Sequence, residues 1–160
     1  MVTAAEGEAL ARSLVEALAS RGLTIGTCES LTGGGIAATI TSVPGASAVL
    51  RGGLVTYASD LKVSLAGVDA RHVAEHGVVD ESTASQMAVG ARRALGTDWA
   101  VSCTGVAGPD MQDGQPVGSV FIGLAGPEGV SVRHFDFSGD RAAIRLQTIA
   151  TALRLSLESL

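Results

Sequence analysis

The chain has 160 residues, 46% hydrophobic and 17% charged, with Lys+Arg 11 against Asp+Glu 16 and a formal net charge of −5. That length suits one domain with its own core, and that charge offers no cationic footprint for a phosphate backbone, so no nucleic-acid partner is expected. No apolar run reaches the ~18–20 residues of a membrane helix, MVTAAEGEAL lacks the basic and apolar regions of a signal peptide, and two cysteines are too few for a disulfide scaffold; a cytoplasmic protein without a membrane partner is expected.

Thr3 and Glu6 have capping-box spacing. Leu10, Leu14 and Leu18 follow at helical spacing and Gly22 supplies a stop, which predicts a helix over 4–21. Leu23–Cys28 reads as a short buried strand, Ser30–Gly35 as a turn, and Gly35 onward as a helix running to Pro44. A second strand is expected at Gly53–Tyr57, then a helix capped by Ser59 and ended near Ala66, and a helical turn over 70–77. Asp80 caps a helix over 81–95 with Gly96 as its stop. Asp98–Cys103 is a third strand, and 117–124 with 130–137 form a hairpin around Gly126-Pro-Glu-Gly129. Asp140 caps a last helix with Ile144, Ile149, Leu153 and Leu157 on one side. This order predicts an α/β three-layer sandwich in a single domain over 1–160. Its sheet is mixed, mostly parallel, with about five or six strands and helices on both faces.

Two motifs carry less than they suggest. His72-Val-Ala-Glu75-His76 matches the H-x-x-E-H zinc pattern, but Gly77 ends the helix at once. Only His134 remains as a further histidine, so a polar turn is the plainer reading and no metal is expected. Gly33-Gly34-Gly35-Ile-Ala-Ala38 fits a dinucleotide fingerprint. The next strand, however, ends in Thr56-Tyr57 instead of the acidic residue that holds a ribose, and no Walker lysine follows; no cofactor is expected. Cys28 and Cys103 read as small buried strand residues.

The chemistry concentrates at three strand ends. These are Glu29-Ser30-Leu-Thr32-Gly-Gly-Gly35, then Thr56-Tyr57 with Lys62 shortly after, and Ser102-Cys-Thr104-Gly105-Val-Ala-Gly108-Pro109-Asp110. If the three strands are parallel neighbours, these segments share one rim, and open α/β sheets bind ligands at such carboxyl edges. Ser30 can be a helix cap or a nucleophile. As a nucleophile it needs an adjacent base, and no histidine is well placed. Lys62 suits the role if desolvation removes its proton near neutral pH. Tyr57, the only tyrosine, can relay a proton or hold the lysine. The N–H groups of Gly33–Gly35 can stabilise an oxyanion or bind a phosphate.

Further motifs run the length of the chain: Val43-Pro-Gly-Ala-Ser47, Gly52-Gly-Leu-Val-Thr-Tyr57 with Lys62, His76-Gly-Val-Val79, Thr104-Gly-Val-Ala-Gly-Pro109, Pro116-Val-Gly-Ser-Val120 and Gly139-Asp-Arg141. With Glu29-Ser30-Leu31-Thr32-Gly33-Gly34 they resemble, in order, the CinA C-terminal domain family, whose stand-alone members are nicotinamide-nucleotide amidases. Leu31 stands where the family usually has cysteine, so that position is not needed as a thiol. The resemblance implies hydrolysis of nicotinamide mononucleotide to nicotinate mononucleotide and ammonia. It points to Ser30 as nucleophile with Lys62 and Tyr57 as partners. The substrate contacts expected with it are Glu29, Thr32, Gly33, Gly34, Thr104, Gly105 and Arg141, with either Arg141 or the Thr104-Gly105 loop on the phosphate. The alternative is a non-catalytic nucleotide-binding module of the same family. A homodimer is expected from the Ala-rich helices.

Overall fold

In a computed structural model that describes residues 1–160, the first helix begins where Thr3 Oγ1 accepts the Glu6 N–H at 3.2 Å. This helix, α1 (Ala4–Arg21), ends at Gly22 with φ 65°, a left-handed turn that favours glycine. The expected capping box is only half made. The Glu6 carboxylate accepts a hydrogen bond from Arg154 Nη2 at 2.7 Å and so ties α1 to the last helix.

Strand β1 (Ile25–Glu29) and helix α2 (Gly35–Thr41) follow as expected to within two residues, except that α2 stops before Pro44. Strand β2 spans Leu50–Val55, so it starts earlier than expected and stops short of Thr56-Tyr57. Gly52 and Gly53 lie inside it because the neighbouring strand needs their room: a Cβ on Gly53 would collide with Thr27 Oγ1. Helix α3 (Ser59–Ser64) has Ala58 at its N-cap, so Ser59 is the first helical residue and caps nothing. Helix α4 (Ala70–His76), helix α5 (Glu81–Leu95), strand β3 (Trp99–Gly105), strands β4 (Ser119–Gly126) and β5 (Gly129–Asp136), and helix α6 (Arg141–Glu158) complete the chain. Asp80 and Asp140 cap α5 and α6 as read, accepting from the N–H groups of Thr83 and Ala143.

The sheet order is β2-β1-β3-β4-β5. β1 is parallel to both β2 and β3, and β4 is antiparallel to β3 and β5. Most strands therefore point one way, but parallel and antiparallel pairings are equal in number, because the hairpin reverses β4. Helices cover both faces. α1, α2 and α6 enclose the larger core with Leu14, Leu18, Ile36, Ile40, Ile144 and Leu153. α5 lies on the other face against a smaller core of Cys28, Ala66, Val68, Met87, Ala91 and Ala100. No helix is long and apolar enough to cross a membrane.

The functional rim depends on one close approach. Gly90 of α5 packs against the backbone of Ala66, just after α3, and a Cβ there would overlap the Ala66 carbonyl oxygen. Gly67 and Val68 turn back onto α3 through bonds to the Val63 and Lys62 carbonyls, so this contact seats the helix that carries Lys62. Gly90→Ala should therefore destabilise by about 2 kcal/mol, since overpacking outweighs the ~1 kcal/mol gain in helix propensity. Thermal melts should show a fall of roughly 4–8 °C; an unchanged or raised Tm would contradict the packing argument.

Candidate active site

Ser30 is the first residue past β1. Its N–H still donates to the Cys103 carbonyl at 3.1 Å, while the Thr56 N–H donates to the Glu29 carbonyl at 2.9 Å. Both neighbouring strands thus grip the end of β1 and hold Ser30 on the carboxyl rim. Lys62, from α3, reaches the same point. Its Nζ lies 2.9 Å from Ser30 Oγ, 2.6 Å from the Thr56 carbonyl oxygen and 3.3 Å from that of Tyr57. Ser30 is 8% and Lys62 1% exposed.

As an ammonium, Lys62 would donate to all three oxygens; the same geometry also accommodates an uncharged amine. A neutral lysine has two N–H donors and one lone pair; two carbonyls take the donors, which leaves the lone pair for the Ser30 hydroxyl proton. Burial lowers the Lys62 pKa from its ordinary value, because a low-dielectric surrounding penalises the charged form. Cys28 and Cys103 are themselves pushed up by burial, to about 11 and about 12. At neutral pH both are thiols and supply no anion to draw a proton onto the lysine. Only Asp113 pulls the other way, and it is exposed and accepts the Val78 N–H at 2.8 Å.

Beside Ser30 opens a cavity of about 320 Å³ whose lining includes Leu31, Tyr57, Gly105, Asp110 and Arg141. Arg141 spans its mouth. Nη1 donates to the Gly108 carbonyl at 2.8 Å and Nη2 to the Tyr57 hydroxyl at 3.0 Å. Arg141 makes no salt bridge, although the Asp110 carboxylate lines the same cavity. Larger hollows of about 530 and 550 Å³ flank the 126–130 turn at the far end of β4, and neither holds any of these residues.

The family model for the CinA C-terminal domain matches residues 7–160. The chain belongs to the CinA C-terminal domain family. A CinA-like protein of Frankia casuarinae is 46% identical to it over 138 residues, covering 86% of this chain and 32% of that protein. A CinA-like protein of Geobacter sulfurreducens is 46% identical over 154 residues, covering 95% and 37%. The chain thus spans about a third of the length of these curated relatives. The crystal structure of the competence/damage inducible protein CihA from Agrobacterium tumefaciens matches with a TM-score of 0.91 and 37% identity, covering 96% of each chain.

Several expected contacts fall elsewhere in this CinA-family domain. Glu29 is fully buried and turned inward. Its carboxylate accepts from Thr27 Oγ1, Thr32 Oγ1 and the N–H groups of Ile36 and Ala37, at 2.7–3.1 Å. Glu29 therefore occupies the start of α2 itself, and the glycine-rich turn has no room there for a phosphate. Thr32 is fully buried with its hydroxyl committed to Glu29, and Thr104 is 1% exposed with its hydroxyl donating to the Val78 carbonyl at 2.6 Å. Neither side chain reaches the cavity. Gly33 (φ 59°) and Gly34 (φ 95°) shape the turn without lining the cavity, and the Gly33 N–H is spent on the Ser30 carbonyl. Tyr57 is 58% exposed. Its hydroxyl bonds Arg141, whereas Lys62 touches only its carbonyl, so Lys62 meets Ser30 directly and needs no tyrosine relay. Gly105 and Arg141 do line the cavity.

His72 Nε2 pairs with Asp80 at 2.8 Å, and no group of three or more His, Cys, Asp or Glu side chains gathers to hold a metal. One residue was missed: Arg145, whose Nε and Nη2 donate to the Leu31 and Thr32 carbonyls, each at 3.0 Å. Its signal was its place four residues after Arg141, on the same side of α6.

The lowered Lys62 pKa has a consequence for stability. Between its folded value and the ordinary 10.5, the unfolded chain binds one proton that the native chain does not, so stability rises with pH across that window. Urea denaturation should show the wild type gaining on Lys62→Met as pH rises towards 10.5. Parallel pH dependence in the two proteins would contradict a desolvated amine.

Proposed function

We propose that this chain is a nicotinamide-nucleotide amidase that hydrolyses nicotinamide mononucleotide to nicotinate mononucleotide and ammonia. The observation that carries the reading is the buried Lys62 amine 2.9 Å from Ser30 Oγ, a serine–lysine pair at the mouth of a cavity. The cavity is at the small end of the range for ligand sites, a size for one mononucleotide and not two. The Arg141 guanidinium at its opening, bonded only to neutral groups, suits a phosphate.

The steps follow from the geometry. Lys62 Nζ takes the Ser30 hydroxyl proton as Oγ bonds to the carboxamide carbon and the carbonyl electrons move onto oxygen. The Leu31 N–H, on a residue that lines the cavity beside Ser30 and without a backbone acceptor, receives that oxyanion. The Lys62 ammonium then protonates the amide nitrogen, the C–N bond breaks and ammonia leaves. Water gives a proton to Lys62 and attacks the acyl carbon. Ser30 Oγ departs, recovers its proton from Lys62, and releases the carboxylate product.

Ammonia release from nicotinamide mononucleotide tests this reading. Ser30→Ala should lower turnover by at least about 10³-fold while nucleotide binding persists. kcat/KM should rise with pH through the lowered pKa of Lys62, because the neutral amine is the active form. Binding without turnover in the wild type would assign the chain to a non-catalytic nucleotide-binding module instead. Unchanged turnover in Ser30→Ala would remove the acyl-enzyme.

A further inference from the structure

We propose that Asp110 is a specificity-determining residue that accepts hydrogen bonds from the ribose hydroxyls of the substrate and so restricts the site to ribonucleotides. The inference rests on the mononucleotide substrate of the amidase reading. The loop after Pro109 carries two aspartates with different fates. Asp113 serves the fold, since its carboxylate accepts the Val78 N–H at 2.8 Å. Asp110 is exposed and lines the cavity beside Ser30. Its carboxylate takes part in no salt bridge, and the hydrogen bonds of the loop are made by Gln112, Asp113 and Gln115. An exposed aspartate without a partner is ordinarily just solvated; this one shares a hollow with the nucleophile and with Arg141.

The order of groups along a mononucleotide assigns the contact: carboxamide and ring, then ribose, then phosphate. Ser30 fixes the carboxamide end, where the buried Leu31, Val106 and Ala107 wall the cavity and suit the ring. Arg141 fixes the phosphate end from the mouth, held there by the Gly108 carbonyl and the Tyr57 hydroxyl. Asp110 comes two residues after Gly108, within about 7 Å of chain, so it stands on the Arg141 side and faces the middle of the ligand. A carboxylate set against the phosphate itself would repel it. The ribose between ring and phosphate instead presents two O–H donors, and a carboxylate has two oxygens to accept them. Dinucleotide folds hold a ribose with an acidic residue at a strand end. Here β2 ends at Val55 and is followed by Thr56-Tyr57, and the loop after β3 supplies the carboxylate.

The test is a cycle in which protein and substrate are each altered at the contact. Ammonia release from nicotinamide mononucleotide and from its 2′,3′-dideoxy analogue is measured on the wild type, Asp110→Ala and Asp110→Asn. Calorimetry gives Kd for both nucleotides on the same three proteins carrying Ser30→Ala, and thermal melts check folding. Removing the diol should lower kcat/KM of the wild type about 30-fold. Asp110→Ala should cost about as much with the full nucleotide and nothing further with the dideoxy one. The loss should lie in KM and Kd, with kcat within about threefold of wild type. Asp110→Asn, which keeps one acceptor oxygen, should fall in between, and it keeps the test decisive if the alanine variant fails to fold. Equal losses with both nucleotides, or no loss in a folded variant, would overturn the ribose contact and leave the amidase reading standing. The same cycle in Kd without ammonia release from the wild type would overturn the amidase reading alone, and absence of both nucleotide binding and ammonia release would overturn both.

Discussion

A lysine amine buried against two backbone carbonyls and a serine hydroxyl is the contact on which this molecule turns. An ammonium ion there would lose its hydration and gain only neutral acceptors, so burial favours the uncharged form. Against the pull of Asp113, two surrounding features agree with that state. The two nearest thiols are themselves kept protonated by burial, and the Thr56 and Tyr57 carbonyls use up the donors of a neutral amine. The sheet supplies the convergence: β2, β1 and β3 are adjacent and parallel, so the segment after β1 and the helix after β2 open on the same rim.

Charge is handled with similar economy around the Ser30–Gly35 turn. Glu29 is a buried carboxylate satisfied by four donors, two of them N–H groups that start α2. An internal anion at that position stabilises the helix start and excludes a ligand anion from it. On the other side of the turn, Arg145 holds two carbonyls. The turn is thus fixed through its donors by an anion and through its acceptors by a cation. The Arg141 guanidinium stands apart at the cavity mouth, bonded to the Gly108 carbonyl and the Tyr57 hydroxyl.

Much of this arrangement was legible from residue types and order. Capping residues marked the starts of α1, α5 and α6, and the Gly126–Gly129 turn marked the hairpin. The strand–turn–helix order put Ser30 and Lys62 on one rim. What stayed hidden was direction. Thr104 sits on β3 between residues of opposite facing, and its small polar side chain gave no sign that it turns inward to Val78. Glu29 looked like a ligand carboxylate because a buried helix cap and a substrate contact use the same residue type. The second strand was expected to start only at Gly53 and not at Leu50, because strand propensity ignores the room that Thr27 needs beside Gly53 in the neighbouring strand. Arg145 was passed over because backbone carbonyls as partners leave no trace in side-chain motifs.

The protonation state of one side chain decides the account. Selective labelling of lysine and observation of the Lys62 ¹³Cε resonance across a pH titration reads it directly, with Lys62→Met giving the assignment. The account predicts a midpoint well below the ordinary 10.5 and an uncharged amine in the pH range where the protein acts. A Lys62 that titrates at the ordinary lysine value would mean an ammonium beside Ser30, and the serine would have no base.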